Sequence, residues 1–319
     1  MTDADRLLDA ARRPLVIGIG GGGDVVGALA TAEACRLRGA APVVGGVSWE
    51  RRPIDPRPGP RAAAEIENAR ELAPGVLAAS GATRVRESGV LFAESRMAAL
   101  LGEECVLVDA TLAPAAIADG IEAAAAGLGC DLLVFLDVGG DALAHGDEPG
   151  LASPLCDALL MAAAARLAAR AETPVLAAIF GIGCDGELTA AEVLERIAEV
   201  AAAGGLAGAR GLTPAVVDRL DEAVAAVPTE ASAQALRCFR GETGSTTIRR
   251  GRRTVELSPL GALTFFIEPR AALGSAARLA AVVGDARDLD HANELLHERA
   301  VRTELDYERD ALHTSPGPG

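Results

Sequence analysis

The stretch of the chain from residue 15 to residue 39 constrains the fold more than any other. A short apolar, β-branched run enters four consecutive glycines, and Asp24 then opens a helical pattern that stops near Gly39. A strand, a glycine loop and a helix in this order are typical of the first unit of a parallel α/β sheet. The same geometry turns backbone N–H groups and the positive end of a helix toward an anion. We therefore expect a ligand at this loop.

Two later loops repeat the pattern of a strand followed by glycines and acids. Asp137 and Asp141 flank a pair of glycines, and Asp185 and Glu187 lie in the glycine-rich stretch at residues 181–187. Both loops follow predicted strands, and a capping-box pattern places the next helix near residue 190. Because ligands bind outside the carboxyl ends of parallel strands, the three loops are expected to form one site.

Strands alternate with helices up to about residue 227, which predicts a doubly wound, mostly parallel Rossmann-like sheet. Strands are expected at residues 41–48, 76–78, 105–108, 131–136 and 174–180, with a helical stretch from about residue 61. Beyond residue 240 the pattern predicts a hairpin at 246–257, a strand at 262–267, and helices at 271–283 and 288–299, all packed on the sheet. We expect a single α/β domain at residues 1–310, made of a Rossmann-like core (1–240) and a hairpin and helical part (241–310), followed by a disordered tail at 311–319.

Charge and cysteine usage narrow the classes of partner. The 319-residue chain carries a net charge of −15, which opposes binding to nucleic acid and to anionic membranes. The amino terminus is polar and acidic, and no apolar run reaches the length of about 18 residues that a spanning helix needs. Six cysteines without paired spacing indicate free thiols and a cytoplasmic location. A small-molecule partner is expected, and a homo-oligomer is compatible with all of these observations.

The absence of lysine excludes several classes of enzyme. All 30 basic residues are arginine, so a P-loop with its phosphate-binding lysine is excluded. A Schiff-base enzyme of the pyridoxal or aldolase kind is excluded for the same reason. The single tyrosine, Tyr307, lies near the carboxyl end, so a Tyr/Lys reductase pair is also excluded.

The first glycine loop has a functional and a structural interpretation. Gly18, Gly20 and Gly23 fit the G-x-G-x-x-G fingerprint of dinucleotide-binding proteins. Glu50 is the candidate for the acid that binds the ribose in such proteins, although it lies several residues later in the sequence than that acid usually does. Nucleotide or anion binding is one interpretation, and a tight turn that lets helix and strand approach is the other. Since each glycine costs backbone entropy, four in a row favour the first.

The remaining motifs also leave two interpretations each. Asp137 and Asp141 suit Mg²⁺ or sugar hydroxyls, and Asp185 suits a general base or a metal ligand, whereas solvated loop acids are the ordinary alternative. Arginines beside Trp49 would grip a phosphate while the indole stacks on a base. The alternative for that loop is a surface flap of arginines.

Several segments together are similar to an uncharacterised prokaryotic family, a domain of unknown function found in archaea and actinobacteria. They are residues 18–27, 47–51, 137–144, 148–157, 183–188, 253–259 and 303–309. The resemblance spans nearly the whole chain and implies one cooperative unit rather than two separable domains. It implies no activity.

From the residues themselves we expect an enzyme that binds a nucleotide, nucleoside or phosphorylated sugar and catalyses hydrolysis or group transfer, with Mg²⁺ as the expected metal. The residues predicted to be catalytic are Asp137, Asp141, Asp185 and Glu187, and the first two are also predicted metal ligands. The residues predicted to bind the ligand are Gly20, Gly21, Gly22, Gly23, Asp24, Trp49, Glu50, Arg51, Gly139, Gly140 and Gly183. The alternatives are an NAD(P)-dependent oxidoreductase and a non-catalytic nucleotide sensor.

Overall fold

A nine-stranded sheet lies at the centre of the protein in a computed structural model that describes residues 2–314. Its strands are β1 Pro14–Gly18, β2 Val43–Val47, β3 Ile66–Ala73, β4 Val76–Val85, β5 Cys105–Val108, β6 Leu132–Val138, β7 Val175–Phe180, β8 Leu206–Gly211 and β11 Leu263–Ile267. A separate two-stranded sheet consists of β9 Gly244–Ile248 and β10 Arg253–Leu257. The order across the large sheet is β3-β4-β5-β2-β1-β6-β7-β11-β8.

Helices cover both faces of this sheet, which confirms the doubly wound α/β fold. They are α1 Ala4–Ala10, α2 Asp24–Arg36, α3 Ala93–Leu101, α4 Pro114–Leu128, α5 Pro154–Arg170, α6 Ala190–Ala202, α7 Pro214–Ala226, α8 Ala231–Phe239, α9 Pro269–Leu273, α10 Arg278–Val283, α11 Leu289–His297 and α12 Glu304–Thr314. Leu15 and Ile17 of β1 belong to one hydrophobic cluster, and Val16 belongs to another. Because successive strand side chains point to opposite faces, the core has two layers.

The position of the site follows from the strand order. β5, β2, β1, β6 and β7 are paired in parallel. The chain moves from β1 outward through β2 and β5, then crosses to β6 on the other side of β1. In open α/β sheets the crevice at such a reversal is where ligands bind. Here it lies between β1 and β6.

One prediction of secondary structure was wrong. The segment expected to be helical from about residue 61 forms only a short 3-10 turn at Ala63–Glu65. It continues as β3, which pairs antiparallel with β4 to form a hairpin on the edge of the sheet. Only Ile66 and Ala73, at the two ends of β3, are buried. The segment at residues 61–73 is rich in alanine and charged residues, a composition that is also typical of a helix. Its pairing with β4 makes it a strand.

Three further differences are smaller. The short strand expected at residues 76–78 extends to Val85. The helix expected at 271–283 is two helices, α9 and α10, because the chain turns at Gly274. The strand β8, which contains two glycines, was not predicted, and β11 lies antiparallel between β7 and β8.

The carboxyl-terminal hairpin and strand have the expected positions in sequence. β9 and β10 pair antiparallel, and Val255 and Leu257 are buried in the same hydrophobic cluster as α2 and α8. A Cβ on Gly186 would lie 3.0 Å from the carbonyl oxygen of Thr254, so the hairpin lies directly on the loop that follows β7.

We expect a chain truncated after residue 240 to lose its fold. The truncation removes β11, whose Phe266 and Ile267 are at most 2% exposed, and leaves β7 and β8 without their shared neighbour. Far-UV circular dichroism and limited proteolysis measure this. A protease-resistant fragment ending near residue 240 that keeps its secondary structure would contradict the single-domain prediction.

The end of the chain is more ordered than expected as far as it is described. Helix α12 extends to Thr314, into the segment predicted as a tail from residue 311, and residues 315–319 lie outside the described part. All six cysteines are free, as predicted, and all six are buried. Among residues 2–314, no helix has both the length and the apolar character that crossing a membrane requires.

Candidate ligand-binding site

A cleft of about 460 Å³ opens at the carboxyl ends of β1 and β6. The loops after β1, β2 and β7, the end of β6 and the hairpin contribute to it. The predicted site residues that line it are Gly20, Gly21, Gly22, Gly23, Asp24, Glu50, Arg51, Asp137, Asp141, Asp185 and Glu187. The strand-end rule therefore placed three separate loops in one cavity.

The glycine loop needs its glycines for two distinct reasons. Gly21 and Gly22 have φ angles of +80° and +54°, which an L side chain rarely adopts. A Cβ on Gly23 would lie 2.4 Å from the side chain of Thr229, in the segment before α8. Gly21 and Gly22 line the cleft. Gly23 lets the segment before α8 pack closely against the loop.

The loop is partly bonded to itself. The amide of Gly20 donates to Asp24 Oδ2 at 3.0 Å, and the amide of Gly22 donates to the carbonyl of Trp49 at 2.9 Å. Two of the four glycine amides are thus already engaged. A bound anion would need other groups besides this backbone.

Arg51 joins the glycine loop to the carboxyl-terminal helix. Its Nη2 donates to the carbonyl of Gly20 at 2.6 Å and to Glu304 Oε1 at 3.1 Å. The guanidinium lies 4.2 Å from the centre of the Trp49 ring. Trp49 itself is fully buried and donates from Nε1 to Glu308 Oε2. The indole therefore holds the loop in place and is not a stacking surface for a base.

The acids after β6 and β7 face each other. Asp137 is the penultimate residue of β6 rather than part of the loop, and it is fully buried. A Cβ on Gly139 would lie 2.3 Å from the Asp185 carboxyl carbon. Gly139 is thus required because Asp185 packs against its backbone. Asp141 begins a 3-10 turn that runs to Leu143.

Glu187 is held by bonds on both of its oxygens. Oε2 accepts from the amides of Ala152 and Ser153 at 2.7 and 2.8 Å, just ahead of α5. Oε1 accepts from the Ser153 hydroxyl and lies 2.7 Å from Arg253 Nη1. This carboxylate is a fixed anchor of the cleft wall, so a role as a mobile general base is disfavoured.

Gly140 and Gly183, predicted to bind the ligand, serve packing in this structure. A Cβ on Gly140 would lie 2.6 Å from Val193, and one on Gly183 would lie 3.0 Å from the amide of Ala190. Both contacts bring α6 close to the sheet. Neither residue, nor Trp49 or Gly139, is among those that line the cleft.

Arg52, one of the arginines predicted beside Trp49, also lines the cleft, but sequence reasoning missed several of its other residues: Ser153, Asp157, Arg249, Arg253, Thr229 and Glu230. Asp157 lies in the first turn of α5 and is 2% exposed. It is the only charged residue between positions 149 and 165. An acid alone in an apolar helix is a signal, because burying a charge is costly.

Burial raises the pKa of the carboxyl groups around the cleft. The pKa values of Asp24 and Asp185 rise to about 7. Those of Asp137, Asp141 and Asp157 rise well above the usual range, first through burial and then through the charges of neighbouring carboxylates. In the free protein the groups therefore share protons rather than all being ionised near neutral pH.

The charge in the cleft is unbalanced. The carboxyl groups that line it belong to Asp24, Glu50, Asp137, Asp141, Asp157, Asp185, Glu187 and Glu230, and the cations belong to Arg51, Arg52, Arg249 and Arg253. Eight acids against four arginines leave an excess of negative charge. A cation or retained protons must compensate for it.

The fold and the cleft define a Rossmann-like α/β protein with a carboxylate-lined cleft at its topological switch point. Residues 15–312 match the family described as "Protein of unknown function (DUF1152)", and the chain belongs to that family. This confirms the resemblance to a domain of unknown function. No curated protein and no solved structure matches the chain.

Proposed function

We propose that this protein is an enzyme that binds a phosphorylated nucleotide, nucleoside or sugar in the cleft and catalyses hydrolysis or group transfer at a phosphoester or glycosidic bond. Mg²⁺ held by Asp137 and Asp141 is part of the proposal. One observation carries it: buried acids, arginines and a glycine loop meet in a single cavity at the switch point.

The carboxylates support a hard cation. Mg²⁺ prefers oxygen ligands and is usually held by one or two carboxylates together with substrate phosphates and water. Asp137 lies at the end of β6 and Asp141 in the 3-10 turn that follows it, and both are at least 94% buried. A cation there would neutralise charge that the free protein can compensate only by protonation.

The arginines support an anionic group on the ligand. Arg253 donates to the carbonyl of Asp185 at 3.2 Å and pairs with Glu187, so its position is fixed. Arg52 also lines the cleft, and its Nη1 is buried without a hydrogen-bond partner among the described residues. Guanidinium groups bind phosphate through paired N–H donors. A phosphate group bound by these arginines would lie in the same cleft as the carboxylates proposed to hold the cation.

The experiment that tests the proposal is a thermal-shift and turnover screen of the full chain with phosphorylated nucleotides and sugars, with Mg²⁺ or with EDTA. We expect at least one phosphorylated compound to raise Tm in Mg²⁺ but not in EDTA, and to be consumed. If none of them changes Tm in either buffer, the cleft is not a phosphate-ligand site.

Replacing Gly22 by alanine should abolish most ligand binding at a small cost in stability. A Cβ there would project near Arg51 Cγ, at 3.7 Å, into the space where a ligand would lie. The positive φ costs roughly 1 kcal/mol. Isothermal titration with the compound found in the screen measures the effect, and we expect affinity to fall at least tenfold.

Gly39→Ala is the matched control for this variant. Gly39 has φ +92° after α2, and nothing lies within 4 Å of the position of its Cβ. The backbone strain is of the same kind, but the position is outside the cleft. We expect similar destabilisation and unchanged affinity. Equal affinity in both variants would show that the glycine loop is only a structural turn.

The oxidoreductase alternative receives no support from a specific contact. A dinucleotide site needs an acid after β2 that is free to accept ribose hydroxyls. Glu50 Oε1 instead accepts from the amide of Ala93, at the start of α3. Burial also raises the pKa of Glu50 to about 7.

A further inference from the structure

We propose that the cleft binds two divalent cations, one in each of two carboxylate triads. Triad A consists of Asp24, Asp137 and Asp157, and triad B consists of Asp141, Asp185 and Glu187. The inference rests on the proposed function and goes further. It replaces the single cation shared by Asp137 and Asp141 with two cations, and it adds three ligands that the sequence did not identify as metal-binding: Asp24, Asp157 and Glu187.

The spacing within each triad matches the ligand shell of a single ion. Each residue offers one carboxylate oxygen, and the three oxygens of a triad lie within 4.8 Å of one another. Oxygens on opposite sides of an ion are separated by twice the metal–oxygen distance, about 4.2 Å for Mg²⁺ and about 4.8 Å for Ca²⁺. The three oxygens of each triad therefore lie no farther apart than two ligands of one ion can.

Unsatisfied oxygens provide a second, independent observation. Asp137 Oδ1, Asp157 Oδ1 and Asp185 Oδ1 are buried and have no hydrogen-bond partner among the described residues. Their side chains are 0%, 2% and 6% exposed, and all three line the cleft. Buried polar atoms in folded proteins are nearly always bonded. The unsatisfied oxygens belong to both triads, so both are open to a ligand.

Electrostatics argues for two cations rather than one. The six carboxyl groups of the two triads line the same cleft, so their charges repel one another when the groups are ionised. A single divalent cation would offset two of the three charges of one triad and leave three buried carboxylates in the other without a cation. Water can bond to an oxygen, but it cannot remove this repulsion.

The two positions differ in the charge they offer. In triad B, Glu187 already pairs with Arg253 at 2.7 Å, so part of its charge is compensated. In the described part of the chain no arginine forms an ion pair with a carboxylate of triad A, and Arg51 pairs with Glu304 instead. We therefore expect triad A to bind its cation more tightly, and triad B to complete its ligand shell with the phosphate of the substrate.

This arrangement narrows the substrate to a phosphate ester or anhydride. Two neighbouring cations stabilise the attacking and the leaving oxygen of an in-line displacement. In hydrolysis, water attacks phosphorus, one P–O bond forms, the P–O bond to the leaving group breaks, and that oxygen takes the proton released by the water. No other reactant is required.

The test is the number of Mn²⁺ ions bound by the full chain after treatment with EDTA and desalting, measured by electron paramagnetic resonance of free Mn²⁺, with Mg²⁺ as competitor. We expect two equivalents for the unsubstituted protein, and one equivalent each for Asp157→Asn and Asp185→Asn. Asp218→Asn, an exposed change on α7, should keep two. Circular dichroism confirms that each variant is folded.

The outcomes separate this inference from the proposed function. One equivalent in the unsubstituted protein, or two equivalents that neither triad variant reduces, would overturn the two-cation inference. The proposed function would still stand if a phosphorylated compound raised Tm in Mg²⁺. No bound Mn²⁺ together with no effect of any phosphorylated compound would refute both.

Discussion

The Asp137→Asn variant should melt at a higher temperature than the unsubstituted protein when divalent cations are absent. Asp137 is fully buried, and burial together with the charges of Asp24 and Asp185 raises its pKa. Asparagine removes the charge and keeps an oxygen that can accept from the Ala142 amide, as Asp137 Oδ2 does at 3.3 Å. We expect a rise in Tm of about 2 °C or more, equivalent to about 1 kcal/mol for a chain of this size.

The same variant should lose the stabilisation that Mg²⁺ gives. A ligand that binds only the folded state at 100 times its Kd adds about 2.7 kcal/mol to the free energy of unfolding. The unsubstituted protein should gain this amount, and Asp137→Asn only a small part of it. Asp218→Asn serves as the control, with a change within about 0.5 kcal/mol and a normal response to Mg²⁺. An Asp137→Asn variant that responds to Mg²⁺ like the unsubstituted protein would move the site elsewhere.

The pH dependence has a definite sign. The pKa values of Asp24 and Asp185 are about 7 in the folded protein, against about 4 for an unfolded aspartate. Between these values the folded state binds more protons than the unfolded state. The stability that these groups contribute is therefore full below pH 4 and lost as pH rises through 7. Melting curves from pH 5 to 8 in EDTA should show falling Tm, and Mg²⁺ should flatten the slope.

Local sequence signals were sufficient for the part of the site that lies on strand ends. Asp137, Asp141 and Asp185 were assigned to one cavity because each follows a buried-type strand of a parallel sheet. That rule is geometric and holds whatever the rest of the chain does. The Rossmann-like core was predictable as well, since β1, β7 and residues 132–136 of β6 are continuous apolar runs.

Long-range contacts explain what the sequence did not reveal. Trp49 was predicted to face the ligand. Its indole is instead buried and donates a hydrogen bond to Glu308, which lies 259 positions later in the sequence. Arg253 lines the cleft and pairs with Glu187, but it belongs to the β9–β10 hairpin. The sequence of that hairpin does not indicate a contact with residue 187. The β3 strand was mistaken for a helix for a similar reason, because its partner β4 and its place at the sheet edge are not encoded in its composition.

Arg51→Met should destabilise the protein by about 3–5 kcal/mol, the range expected when a buried ion pair loses one partner. Methionine keeps much of the side-chain volume but leaves Glu304 and Glu308 without the cation that pairs with them. Burial already raises the pKa of Glu304, and the Arg51 charge is the largest of the influences that lower it, ahead of the backbone hydrogen bonds. The variant should therefore regain part of its stability at acidic pH, where Glu304 is protonated. Denaturant unfolding at pH 5.5 and pH 8 measures both effects.

Two further variants separate the lost ion pair from lost packing. The first is Arg57→Met. Arg57 lies in the same loop as Arg51 but forms an exposed ion pair with Glu65, so the loss of this pair should lower the free energy of unfolding by at most about 1 kcal/mol. Adding Glu304→Gln to Arg51→Met removes the unpaired charge and should restore part of the lost stability. It will not restore all of it, because Glu304 Oε1 and Oε2 also accept from the amides of Cys156 and Leu155 at 3.0 Å and so fix the start of α5. If the double variant were no more stable than Arg51→Met, packing around Arg51 rather than its charge would connect the glycine loop to α12.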